Sequence, residues 1–137
     1  MCRKRGVNMN PTEIADVSDT ALWVATYRAD ETKRPDALFQ DPLAQRLAGD
    51  RGQRIAQLMK GSPYVSWSVV IRTHIIDAFI LDLIQKSGVD AIVNLGAGLD
   101  TRPYRMNLPQ RLAWIEVDFP HLVAMKEKKL QGENPRC

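Results

Sequence analysis

This chain of 137 residues is poor in cysteine and carries no strong charge of one sign, and each scarcity excludes a class of protein. Its two cysteines, Cys2 and Cys137, stand at opposite ends and match neither a disulfide framework nor a metal-binding spacing. A reducing compartment, the cytoplasm, is therefore expected. The net charge of +3 arises from 19 basic and 16 acidic residues mixed along the sequence. This mixture does not indicate the basic stripe of a nucleic-acid-binding protein.

Long apolar runs are missing as well, which argues against a signal peptide and a membrane span. The first seven residues are basic but lack the apolar core of an export signal. The segment from Val69 to Ile84 is apolar but contains four ionisable side chains. Each charged group would cost about 2.5–3.5 kcal/mol at the centre of a bilayer. We therefore expect a buried helix there, with His74 as a packing residue, and no membrane partner.

Glycine, proline and capping residues divide the chain into elements. Residues 1–17 are predicted to be a mobile lead-in. The apolar spacing and the breaks predict these elements: a short helix Thr20 to Tyr27, a charged loop Asp30 to Asp36, a helix capped by Asp41 and ending near Gly49, a helical piece Gln53 to Lys60, a helix Ser66 to Lys86 closed by Gly88, and a helix Pro120 to Leu130.

The clearest functional signal is a pair of short apolar runs with glycine and acid at their ends. The run from Ala91 to Leu95 is followed by Gly96 and Gly98, and the run from Leu112 to Val117 is followed by Asp118, 22 residues after Gly96. In a βαβ nucleotide site the first turn lies against the ligand, and an acid about 20 residues later accepts hydrogen bonds from ribose hydroxyls. The pattern predicts an α/β protein with parallel strands and an adenosine-containing cofactor.

The residues next to the glycines favour one cofactor over another. A dinucleotide site usually has a third glycine where this chain has Thr101. The carboxylate of Asp100 would also repel a phosphate at the start of the following helix. S-adenosylmethionine has no phosphate and carries a cationic sulfonium, and Arg72 is a candidate to bind its carboxylate. A nicotinamide-dependent oxidoreductase is the weaker alternative.

Several separate motifs resemble one enzyme family. Residues 93–102, the segment Glu116 to Pro120 and Lys126 closely resemble the leucine carboxyl methyltransferase family of S-adenosylmethionine-dependent enzymes. Residues 20–22, 27–29, 38–44 and 71–73 look like the microbial small-molecule O-methyltransferase branch of that family. The resemblance implies a partial Rossmann-like methyltransferase fold: N-terminal helices and the first two parallel strands.

The resemblance also implies roles for four residues. Arg72 would hold the cofactor carboxylate, Gly96 would lie against its methionine portion, and Asp118 would accept hydrogen bonds from both ribose hydroxyls. Arg28 resembles the basic residue that the family places near the same carboxylate. No residue of this chain matches the acidic and apolar pair that contacts adenine in the family, and no catalytic residue is assigned.

Two acids near these positions have more than one interpretation. Asp100 could approach the cofactor's ammonium group or cap the following turn. Glu116 and Asp118 are two apart on one strand and share a face, so one of them lies nearer the ribose. Asp118 is favoured because open α/β sheets bind ligands at the carboxyl ends of their strands.

Two strands are too few for a methyltransferase sheet. Residues 18–137 are therefore expected to be the N-terminal part of one truncated methyltransferase domain. The expected function is O-methylation of a carboxylate or hydroxyl, on a small molecule or a protein C-terminus, or the cofactor-binding half of such an enzyme. The alternative is a non-catalytic remnant or interaction module. A small-molecule acceptor is the expected partner, and the sequence does not indicate an oligomeric state.

Overall fold

A computed structural model describes residues 16–59 and 63–137. The predicted lead-in, up to residue 15, and residues 60–62 of the predicted break lie outside the described residues. The elements, in chain order, are α1 (Val17–Thr32), α2 (Ala44–Leu58), α3 (Pro63–Ser87), β1 (Ala91–Leu95), α4 (Arg102–Arg105), β2 (Ala113–Val117) and α5 (Pro120–Lys129).

The two strands form a parallel pair, as predicted. Ala91 is paired with Ala113 and Leu95 with Val117, so both strands end at the same edge of the sheet. The second strand begins one residue later than the apolar run suggested. With α3 before β1 and α5 after β2, the described part of the chain is a partial Rossmann-like α/β fold, which confirms the fold prediction.

Helix α1 is longer than predicted, and part of the expected charged loop is helical. Asp16 caps the helix by accepting hydrogen bonds from the backbone N–H groups of Ser18 and Asp19. At the other end, Lys33 pairs with Asp30 at 3.0 Å. Charges spaced three apart are neighbours on a helix. The charge density that indicated a loop therefore belongs to the last turn of a helix.

The predicted capping role of Asp41 is wrong. Helix α2 begins at Ala44, and its cap position is occupied by Leu43 without a side-chain hydrogen bond. Asp41 is instead buried beneath the glycine-containing loop after β1. The predicted break near Gly49 is a kink, at φ +58°, within α2.

Helix α3 matches its predicted position but is not the buried helix that its composition indicated. In its C-terminal half, Ile80 and Ile84 pack against a small core of Met106, Leu108 and Leu112. The opposite side is solvent-exposed in this chain, as is His74, which was expected to be a packing residue. Large apolar side chains exposed on α3 are Tyr64, Trp67, Ile71, Ile75, Phe79 and Leu81. In the described part of the chain, no second layer covers that side of this 25-residue helix. Within the described residues no helix is both long enough and apolar enough to cross a membrane.

The main core joins α1 and α2 to the loop after β1. Its buried members are Leu22, Ala25, Leu47, Ala48, Leu99 and Leu130. The two helices are in close contact at Gly52, where a Cβ atom would lie 2.7 Å from the carbonyl oxygen of Leu22. Because Leu99 is part of this core, the packing of the N-terminal helices positions the loop.

Candidate cofactor site

A cavity of about 420 Å³ opens at the carboxyl ends of β1 and β2. Its wall includes Arg28 from α1, Arg72 from α3, Gly96 from the loop after β1, and Asp118 at the end of β2. The structure therefore brings together all four residues that the sequence singled out. This edge of a parallel sheet is where open α/β folds bind ligands.

The loop 96–101, called here the glycine loop, exposes bare backbone to the cavity. Gly96 and Gly98 have φ of +67° and +53°, in the left-handed region that favours glycine. The N–H of Gly96 donates to the carbonyl of Val117 at 2.8 Å, which ties the start of the loop to β2. A Cβ atom at Gly96 would meet nothing within 4 Å. A ligand can therefore approach the backbone there.

Asp118 joins the second strand to the glycine loop. Its Oδ2 accepts a hydrogen bond from the N–H of Gly98 at 2.6 Å, and its Oδ1 accepts one from the N–H of Phe119 at 2.7 Å. Glu116, on the same face of the strand, accepts instead from the ammonium of Lys126, which is buried beneath it, and lines a neighbouring cavity. Of these two acids, Asp118 is the one in the large cavity's wall.

The two arginines of the cavity wall, Arg72 and Arg28, differ in whether their guanidinium groups have hydrogen-bond partners. The guanidinium of Arg72 is exposed and forms no hydrogen bond or ion pair within residues 16–59 and 63–137. Asp77, an acid on the same helix, pairs with Arg102 and Arg105. Arg72 is therefore available to an anion entering the cavity.

Arg28, by contrast, is buried and already engaged. Its Nε donates to Oδ2 of Asp41 at 2.9 Å, and its Nη2 donates to the carbonyl oxygen of Leu99 at 2.5 Å. Burial lowers the pKa of the Arg28 guanidinium, and the nearby charges of Asp41 and Asp100 oppose that shift. The side chain thus links α1 to the glycine loop as well as lining the cavity.

Asp100 caps the turn that follows it, which is one of its two predicted roles. Oδ1 accepts from the N–H of Arg102 at 2.9 Å, and Oδ2 accepts from the guanidinium of Arg102 at 2.7 Å and the amide of Asn94 at 2.8 Å. Burial alone would raise the pKa of the Asp100 carboxyl, but the charge and N–H of Arg102 hold it below its usual value.

The lowered pKa of Asp100 predicts that its carboxylate contributes to the stability of the folded chain and that this contribution is lost in acid. A lowered folded-state pKa stabilises the protein above the pKa of an unfolded aspartate, about 3.9, and this contribution is lost as the pH falls through the folded-state value. We expect Asp100→Asn to lose less stability than the original chain between about pH 4 and pH 2. Thermal unfolding across this range measures the effect, and identical slopes for the two proteins would contradict it.

Sequence reasoning missed a buried network of charges next to the cavity. It consists of Arg28, Arg102, Arg105, Asp41, Asp77 and Asp100. These residues come from α1, α3, α4 and two loops, so no local spacing reveals that they meet. The sequence analysis singled out Arg28, Asp41 and Asp100 individually, but nothing in it placed them in one network.

Comparison with known proteins identifies the family. A family model described as leucine carboxyl methyltransferase matches residues 21–137. A protein of Streptomyces coelicolor named "putative S-adenosyl-L-methionine-dependent methyltransferase" is 39% identical over 127 residues, covering 83% of this chain and 43% of that protein. Relatives with the same description occur in Streptomyces avermitilis, 40% identical over 86% of this chain and 45% of the relative, and in Mycobacterium avium, 34% identical over 94% and 45%.

The chain spans less than half the length of these curated relatives. The family match nevertheless covers most of the chain, including the glycine loop, both strands and the acid that ends β2. The chain belongs to the leucine carboxyl methyltransferase family.

Proposed function

We propose that this chain is the cofactor-binding part of an S-adenosylmethionine-dependent O-methyltransferase. The observation that carries the proposal is that Arg72, Gly96 and Asp118 line one cavity at the carboxyl ends of both strands. The names of the relatives, which describe S-adenosylmethionine-dependent methyltransferases, support the choice of cofactor.

The chemistry of the cavity suits this cofactor. Asp118 accepts two backbone hydrogen bonds, and a carboxylate has about four acceptor sites, so two remain for a pair of ribose hydroxyls. The guanidinium of Arg72, which has no partner within the described residues, can bind the carboxylate of the amino-acid end, and Arg28 lines the same cavity. The cavity wall carries both carboxylates and guanidinium groups, which suits a ligand that has an ammonium, a sulfonium and a carboxylate.

The cofactor supplies an activated methyl group, so the protein's task is to position it against the acceptor. The described lining of the cavity contains no histidine, lysine, tyrosine or glutamate that could serve as a general base. A carboxylate acceptor needs no base, whereas a hydroxyl acceptor needs one. The proposed acceptor is a carboxylate or a hydroxyl, on a small molecule or a protein C-terminus, and the base for a hydroxyl acceptor would come from the part of the acceptor pocket that this chain does not contain.

We further propose that residues 18–137 are the N-terminal part of a larger methyltransferase domain. One face of the sheet presents Val93, Leu95, Ile115 and Val117 to solvent, with Leu95 74% exposed. An apolar face of this kind is a surface that another layer normally covers. Because the relatives are more than twice as long, the proposed covering layer is the rest of the same kind of domain, which would also complete the acceptor pocket. The proposed compartment is the cytoplasm.

The same exposed face favours one alternative: a chain without catalysis that acts as an interaction module. Binding of the cofactor separates the two functions, because an interaction module has no need of it.

Titration calorimetry with S-adenosylhomocysteine tests the proposal on the 137-residue chain. We expect Arg72→Ala and Asp118→Ala each to weaken binding by about tenfold or more, since each removes a charged hydrogen-bonding partner. Arg111→Ala and Asp90→Ala are matched controls, since both residues are exposed and lie outside the cavity. Absence of binding by the original chain, or equal affinities in all variants, would contradict the assignment.

A further inference from the structure

Asp41 lies outside the lining of the cavity and is hydrogen-bonded to the glycine loop. It is almost completely buried, and it does not line the cavity. Oδ2 accepts from Arg28 Nε at 2.9 Å and from the hydroxyl of Thr101 at 2.6 Å. Both donors lead to the loop, since Thr101 is its last residue and Arg28 bonds to the carbonyl of Leu99.

The other carboxylate oxygen of Asp41, Oδ1, takes part in neither of these hydrogen bonds. Oδ1 is buried and has no hydrogen-bond partner among the residues that the structure describes, and a further cation, Arg105, has its Nε 3.9 Å from Oδ2. A buried carboxylate with an unsatisfied oxygen is a poor means of stabilising a fold, because its desolvation is only partly compensated. Its contacts indicate a different use, namely orienting the groups around it.

We propose that Asp41 is a positioning residue for the cofactor site. Through Thr101 it fixes the end of the glycine loop, and through Arg28 it fixes the Leu99 carbonyl and keeps that guanidinium at the cavity wall. The role in cofactor binding rests on the proposed function, but the effect of Asp41 on the glycine loop can be measured without any ligand.

The test compares two buried aspartates that each pair with an arginine. Asp41→Asn keeps an oxygen for Thr101 but removes the charge that holds Arg28. Asp19→Asn is the control, because Asp19 is buried and pairs with Arg51 of α2, and it does not line the cavity. Hydrogen exchange of the Gly98 and Asp100 amides, which bond to Asp118 and Ala97, reports on the loop in the unliganded chain.

We expect Asp41→Asn to speed exchange of these two amides by about tenfold, as loss of one charge-assisted hydrogen bond implies, and to weaken S-adenosylhomocysteine binding by a similar factor. Asp19→Asn should lower the unfolding temperature without changing either quantity. Unchanged exchange in Asp41→Asn, or equally fast exchange in Asp19→Asn, would overturn the proposal.

A second pair of variants keeps the test decisive if Asp41→Asn does not fold. Thr101→Val removes the hydroxyl donor and should speed exchange of the same amides, whereas Thr101→Ser retains the donor and should restore slow exchange. Equal exchange in these two variants would also overturn the proposal. If the exchange results are as expected but the original chain binds no S-adenosylhomocysteine, the positioning role stands and the proposed function fails.

Discussion

Replacing Arg28 by methionine is expected to lower the free energy of unfolding by about 3–5 kcal/mol. The substitution keeps most of the side-chain volume but removes the close cation of Asp41, leaving Arg105 at 3.9 Å, and it frees the carbonyl of Leu99. Removing the close partner of a buried ion pair is costly because the remaining charge regains no water in exchange. Urea unfolding of the unliganded chain measures the loss as a lower midpoint with an unchanged slope.

Two further variants show whether the cause is the buried charge. Arg34→Met breaks the solvent-exposed pair with Asp36 and should cost less than about 1 kcal/mol. The double variant Arg28→Met with Asp41→Leu removes both charges and should recover much of the lost stability, since apolar replacement of a whole buried pair is often neutral. A double variant as unstable as Arg28→Met alone would rule out the unpaired charge as the cause.

Leu47→Ala is expected to destabilise the chain by about 2–5 kcal/mol. Leu47 is fully buried in the core between α1, α2, the glycine loop and the end of α5. Truncation removes apolar contacts and leaves a cavity that the surrounding helices fill only in part. A domain of this size has a total stability of about 5–15 kcal/mol, so the loss is a large fraction of it.

The matched control lies on the same helix. Leu58, the last residue of α2, is 53% exposed, and Leu58→Ala should change stability by no more than about 0.5 kcal/mol. Thermal or urea unfolding of the two variants measures the difference. Similar losses at both positions would indicate that α2 does not pack as described.

The sequence alone was sufficient for the features that depend on local chemistry. Alternating apolar residues and the glycines after Leu95 predicted β1, the turn and the parallel β2, and Gly88, at φ +64°, closes α3 as expected. These patterns are readable because strand periodicity and positive φ constrain residues within a few positions of one another. The family motifs are likewise short runs of neighbouring residues, so the family was also predictable.

Contacts between distant segments were not predictable in this way. Asp41 is 60 positions from Thr101, and Arg28 is 71 positions from Leu99, yet these residues are hydrogen-bonded. Asp41 before a proline is typical of a helix cap, and only burial beneath the loop reveals its other partners. Likewise, composition predicted α3 to be buried, whereas Ile75 and Phe79 lie on a side of the helix that no described element covers.

The sequence by itself therefore determined the family and the strand and loop order, and it pointed to four residues that line one cavity. The tertiary structure alone decided that Arg28 is engaged while Arg72 has no partner within the described residues, and that Asp41 is hydrogen-bonded to Thr101 of the glycine loop. The physical reason is that propensity and periodicity act over one or two turns of chain. A buried ion pair depends instead on which segments the packing of the whole domain brings within about 3 Å of each other.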